Sequence, residues 1–325
     1  MLSRVAESVY WMSRYIERAE NVARLVEVNE HLMLDLPAGL PQQWGPLVEI
    51  TGDAGAFHKA YSAADQEEVC WFLTFDPNNP NSIISSLRAA RENARSIREI
   101  LSSAVWGEIN EAYLYVENQA NISNELSYDF LRHVVRASHG VEGATNATLS
   151  HSEAWHFSRI GRLLERADKT TRIVDIRYFM LLPTPADVGS PTDDLHWTAV
   201  LQSVSALEMY RQRHGMVRLD KTAEFLILDP EFPRSVRNCL RRADESLHAI
   251  TGTRPGTFRN LAERRLGRLV SSLDYTAVDE VIIAGLHEFL DQLQVGLNEV
   301  GDALQSSFFA PRVASRASSA GAAVT

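Results

Sequence analysis

Apolar positions recur along the chain at the three-to-four-residue spacing of amphipathic helices, and no convincing run of strand-like alternation interrupts them. The pattern predicts helices over about 3–34, 44–61, 66–75, 80–104, 106–118 and 124–149. A second set is predicted over about 151–182, 195–214, 219–228, 233–250, 258–273 and 277–308. Pro37 and Pro41 end the first helix, and Pro183, Pro185 and Pro191 end the seventh, because proline lacks an N–H and collides with the preceding turn. Gly140, and Gly252 with Pro255, punctuate other joints. The predicted fold class is all-α.

The two sets of helices echo each other in sequence. Ser13-Arg14-Tyr15-Ile16-Glu17-Arg18-Ala19-Glu20 returns 148 residues later as Gly161-Arg162-Leu163-Leu164-Glu165-Arg166-Ala167-Asp168. Arg24-Leu25-Val26-Glu27 is answered by Arg172-Ile173-Val174-Asp175. Further on, at an offset of 153, Phe72-Leu73-Thr74-Phe75-Asp76-Pro77 with Pro80 and Ser82 matches Phe225-Leu226-Ile227-Leu228-Asp229-Pro230 with Pro233 and Ser235, and Trp44 matches Trp197. A linker five residues longer in the second set accounts for the change of offset. The expectation is two pseudo-repeats of about six helices, 1–150 and 151–310, forming a helical bundle array, followed by a disordered tail over 311–325. The Asp-Pro-x-x-Pro-x-Ser element reads as a corner, with Pro80 and Pro233 in the first turn of a helix.

Repeated apolar residues need no special reason, but repeated charges do. At 100° per residue, Arg14, Glu17, Arg18, Asn21 and Arg24 share one face of the first helix, and Arg162, Glu165, Arg166, Lys169 and Arg172 share one face of the seventh. First helices of duplicated halves often lie near the pseudo-axis, so the two stripes are expected to face each other. A third stripe carries Arg88, Arg91, Glu92 and Arg95, with Glu99, Ser102, Trp106 and Asn110 if the helix continues through Val105. Its counterpart has diverged, with Asp244 where Arg91 stands and His248 where Arg95 stands, which suggests an asymmetric site around the first copy. From the residues alone three readings stand open: a buried ion-pair lattice, an arginine-lined groove for an anion or a partner, and acid/base chemistry by Glu17 or Glu165. Guanidinium forks suit carboxylate and phosphate alike.

Composition narrows the classes. The 325 residues carry a net charge of -10, against a nucleic-acid binder, which needs a basic surface. Cys70 and Cys239 give neither zinc spacing nor a disulfide framework. His151 and His156 diverge around a helix and share no metal simply. No phosphate-binding glycine loop and no nucleophile elbow occurs, so no cofactor is expected. With no signal peptide and no apolar span long enough for a membrane, the expected location is the cytoplasm. The six tryptophans read as packing anchors.

At the two R-x-x-E-R-A-[ED] blocks, and at Arg91-Glu92-Asn93-Ala94-Arg95 with Arg98, Glu99, Ser102, Trp106 and Asn110, the chain resembles the bacterial Alpha-E family over roughly residues 1–310. That family is named for its helical fold and its Glu-Arg motif, which falls on Glu17, Arg18, Glu165 and Arg166 here. The resemblance implies a setting beside circularly permuted ATP-grasp proteins, often with a transglutaminase-like protease nearby, and a theme of ATP-dependent peptide or amide bond formation. The expectation is a non-catalytic accessory subunit that docks the ligase or its acidic peptide substrate. The rivals are an independent helical transferase or ligase and a purely structural scaffold.

Overall fold

The computed structural model describes residues 1–35, 43–122, 126–180 and 191–310. Among them are fifteen α-helices and no strand. The first seven are Ser3–Asp35 (α1), Gly45–Thr51 (α2), Ala54–Ala60 (α3), Gln66–Thr74 (α4), Ile83–Ser96 (α5), Ser103–Ile122 (α6) and Tyr128–Thr148 (α7). Then come Glu153–Met180 (α8), Pro191–Ser203 (α9), Leu207–His214 (α10) and Leu219–Ala223 (α11). Val236–Thr251 (α12), Leu261–Asp274 (α13), Val278–Ala284 (α14) and Leu286–Leu304 (α15) complete the set, and π-helical turns extend α11 and α15.

The long helices α1 and α8 form the centre. α1 has 33 residues, about 50 Å of helix at 1.5 Å per residue. The two run side by side in the same direction, since partners advance together from Met1–Glu153 through Ser13–Ser158 to Glu17–Arg166. They come close at Gly161, where a Cβ would lie 2.3 Å from the Tyr10 carbonyl oxygen. Glycine is needed there because any side chain would force the backbones apart. α5 and α7 both pack on α1 with α6 between them; α12 and α15 both pack on α8 with α13 between them. One apolar cluster reaches from Ala6 to Phe309 and includes Trp44 and Trp197, both buried.

Several predicted helices are broken where the backbone turns. The segment 44–61 divides at Gly52, whose φ of 83° closes α2 in the left-handed region that glycine enters at no steric cost. The segment 195–214 divides near Ser205, and 277–308 at Gly285. The helix predicted over 80–104 stops at Ser96, and the side chain of Ser102 accepts the Val105 amide to start α6. The prolines of the corner element stand before the helix rather than in its first turn. Ser82 and Ser235 are the caps, accepting the amides of Ser85 and Asn238, while Asp76 and Asp229 accept amides two residues on. Pro191 opens α9 instead of ending α8. Pro37, Pro41, Pro183, Pro185 and the expected tail over 311–325 lie outside the described residues.

Candidate functional site

The stripes on α1 and α8 meet, and they meet crosswise. The Glu17 carboxylate takes a two-pronged grip from Arg166, with Nε at 2.9 Å and Nη2 at 2.7 Å. The Glu165 carboxylate takes one from Arg18, with Nε at 2.7 Å and Nη2 at 3.1 Å. Each glutamate is thus held by the arginine of the other helix, and both carboxylates are buried. Glu17 receives a second guanidinium from Arg234 at 2.9 Å and the Asn21 amide at 3.2 Å. Arg234 also reaches Glu20, which accepts from Arg24 at 2.8 Å and from the Ser138 hydroxyl at 2.6 Å. Arg162 joins this side through Glu142 at 2.8 Å.

On the other side Glu165 is completed by Arg14, whose Nε and Nη2 both lie 2.7 Å away. Arg14 also donates to the Tyr10 hydroxyl and sits 4.9 Å over the Trp11 ring. Arg18 donates its remaining arm to Asn81 at 2.7 Å, and Asn81 in turn donates to Asp53.

Electrostatics follow from this packing. Burial pushes the Glu165 carboxyl upward, but Arg18, Arg14 and Lys169 outweigh it and hold the group well below the usual carboxylate range. Glu17 is likewise lowered, burial being outweighed by Arg166 and Arg234, and Glu20 lies lower still than its ordinary value through Arg234, His139 and Arg24. These carboxylates are ionised, enclosed and poor proton acceptors. Burial raises the thiols of Cys70 to about 12 and Cys239 to about 11, so neither is a poised nucleophile.

Beside Glu165 the packing opens into a cleft of about 630 Å³. Arg14 and Arg18 from α1, Lys169 and Arg172 from α8, and Asn298 and Asp302 from α15 are among its walls. Such a volume suits a small ligand with a few placed polar groups.

A family described as "a predicted alpha-helical domain with a conserved ER motif" matches residues 1–309. The chain belongs to the Alpha-E family. Two of the chain's three Glu-Arg dipeptides, Glu17-Arg18 and Glu165-Arg166, are the crossed pairs just described: each supplies a carboxylate to one side of the helix pair and a guanidinium to the other, while Glu263-Arg264 lies apart in the first turn of α13. This Alpha-E chain is similar to an uncharacterized protein of Mycobacterium bovis and to two from strains of Mycobacterium tuberculosis. Each is 27% identical over 334 residues, covering 94% of this chain. The chain spans 36% of the length of those relatives. No solved structure matches it.

The third Alpha-E stripe is placed elsewhere. Arg88, Arg91, Glu92 and Arg95 ride the outer face of α5, and none of them lines the cleft. Arg95 and Glu92 pair on the surface at 2.5 Å. Arg91 donates to Asn110 at 2.7 Å and lies over Trp106 and Tyr113, because α6 folds back on α5 after the break at Ser96. Trp106 and Asn110 therefore do meet the stripe, from a neighbouring helix rather than the same one. The divergent pair Asp244 and His248 lies 3.5 Å apart in a separate cleft. Among the described residues, no group of three or more His, Cys, Asp or Glu is placed to hold a metal ion, and no helix is long and apolar enough to cross a membrane.

Glu20, Asn81, Asp168 and Arg234 complete the two sides without having been placed in the charged stripes, where Lys169 already stood. Glu20 and Asp168 belong to the repeated block and were legible there. Arg234 occupies a variable position of the corner element, 153 residues after Asn81, so only the mismatch between those two positions could have marked it.

Proposed function

We propose that this chain is a non-catalytic accessory subunit of an ATP-grasp peptide or amide ligase system, in which the crossed Glu-Arg pairs form a rigid frame and the adjoining cleft holds an anionic substrate. The observation that carries the reading is the concentration of Arg14, Arg18, Lys169 and Arg172 along one cleft. A circularly permuted ATP-grasp protein is the partner assigned, with a transglutaminase-like protease as a further associate and the cytoplasm as the common compartment. An ATP-grasp ligase activates a carboxylate as an acyl phosphate, and both species are anions that guanidinium groups bind and orient. Glu17 and Glu165 are poor candidates for a general base, being enclosed and each engaged by two guanidinium groups.

The test is ATP turnover by the ATP-grasp protein across a panel of acidic peptides, with and without this chain. Stimulation that fades in Arg18→Ala is expected. Unchanged turnover together with no co-elution would sink the proposal.

A further inference from the structure

The cleft has one cation that forms no close pair with the frame's glutamates. Lys169 is only 6% exposed; it acts on the Glu165 carboxylate through space, its one close carboxylate, Asp168, stands 3.5 Å away, and among the described residues its ammonium makes no hydrogen bond. Its ammonium opens onto the cleft with three donors free for acceptors. On the enclosed side the residue 148 positions earlier is Asn21, which donates to Glu17 at 3.2 Å and accepts from Arg234 at 3.2 Å. Between the two sides, an asparagine and an arginine have changed places with a lysine and Asn81. The cationic charge is kept and the bulk of one guanidinium is gone.

Other donors point the same way. A guanidinium has five N–H groups. Arg14 uses three, on Glu165 and Tyr10, and Arg18 three, on Glu165 and Asn81. Both therefore line the cleft with donors to spare. The cations are strung out rather than gathered, since Lys169 and Arg172 stand one and two turns beyond Glu165 on α8, about 6 and 10 Å along the axis. One compact phosphate cannot span that length, whereas two carboxylates can. Two acidic groups share the wall: Asp168, which accepts from Arg172 Nε and leaves the two Nη groups of Arg172 free, and the exposed Asp302 on α15, suited to an ammonium.

We infer that the cleft binds an acidic amino acid or short acidic peptide, with one carboxylate on Lys169 and Arg172, a second on the spare donors of Arg14 and Arg18, and an ammonium at Asp302. This rests on the anionic-substrate reading above and names its substrate class. Lys169 is then the anchor that decides affinity.

Calorimetric titration of the full chain with glutamyl-glutamate, glutarate and inorganic phosphate tests it. Glutamyl-glutamate is expected to bind, and Lys169→Met to weaken it on the order of tenfold or more with the melting temperature unchanged. Asp302→Asn should weaken the dipeptide while sparing glutarate, which has no ammonium. Phosphate binding as tightly as the dipeptide, or a Lys169→Met variant that binds normally, overturns the inference. If no dipeptide binds although the chain still co-elutes with the ATP-grasp protein and stimulates it, this inference falls and the accessory reading stands. If co-elution and stimulation are lost as well, that reading falls with it.

Discussion

The Glu17 and Glu165 sides of the central helix pair start from nearly the same residues and end in opposite conditions. Around Glu17 three arginines and an asparagine close the space, and Arg234 ties Glu17 to Glu20. Around Glu165 the third guanidinium is replaced by Asn81, and a cleft lies open to its neighbours. The difference teaches that a closed salt-bridge lattice and an open cleft can share one design, separated by two side chains: Arg234 or Asn81 at the corner, and Asn21 or Lys169 on the long helix. A filled lattice braces the fold. The same lattice with one arm removed leaves cations lining a cleft.

That contrast can be broken most forcefully at the glutamates. Glu17→Gln strands Arg166 and Arg234 in the interior and should cost about 3–5 kcal/mol in denaturant unfolding. Glu165→Gln should cost less, since Arg14 and Arg18 border the cleft, where water can solvate them; equal losses would mean the two sides are not different in kind. The acid limb of stability comes next. Folding lowers the carboxyl pKa of Glu17, Glu20 and Glu165, so as pH falls the unfolded chain takes up protons first. Their contribution is complete above about pH 4.3, the free glutamate value, and is lost as pH drops through the lower folded values. Urea titrations at pH 6 and pH 3 should show this loss, reduced in either Gln variant.

Gly161→Ala forces a Cβ against the Tyr10 carbonyl and is expected to cost about 1–3 kcal/mol, read as a lower midpoint in denaturant. The double change Asn81→Arg with Lys169→Asn rebuilds the enclosed arrangement on the open side. It should abolish acidic-dipeptide binding in calorimetry while shifting stability by about 1 kcal/mol or less. Smallest of all, Arg95→Ala removes a surface pair whose arginine is 65% exposed, worth less than about 0.5 kcal/mol in thermal unfolding.

The helices were legible because apolar spacing persists over each of them, and the charged stripes of α1 and α8 were legible because Glu17-Arg18 and Glu165-Arg166 recur in one sequence. Breaks at Gly52, Ser205 and Gly285 were not, since a kink at one residue leaves the periodicity on both sides intact. Burial of the stripes was equally hidden. Charges at i, i+3 and i+4 look the same on a solvated face and on a helix crossing, and α1 is covered on its charged face as well as its apolar one. The stripe on α5, denser in charge, proved to be the outer one. The asymmetry that shapes the cleft lies at Asn81 and Lys169, not at Asp244 and His248, where the helix comparison had pointed.

Crossed pairing also sets an order of events during synthesis. The Glu17 carboxylate is made early, but its partners are Arg166 and an arginine 217 residues downstream. Until Arg234 has left the ribosome, α1 can collapse only loosely, keeping its charged face in water or against a chaperone. α1 is thus among the last of these helices to be locked, although it precedes the others along the chain.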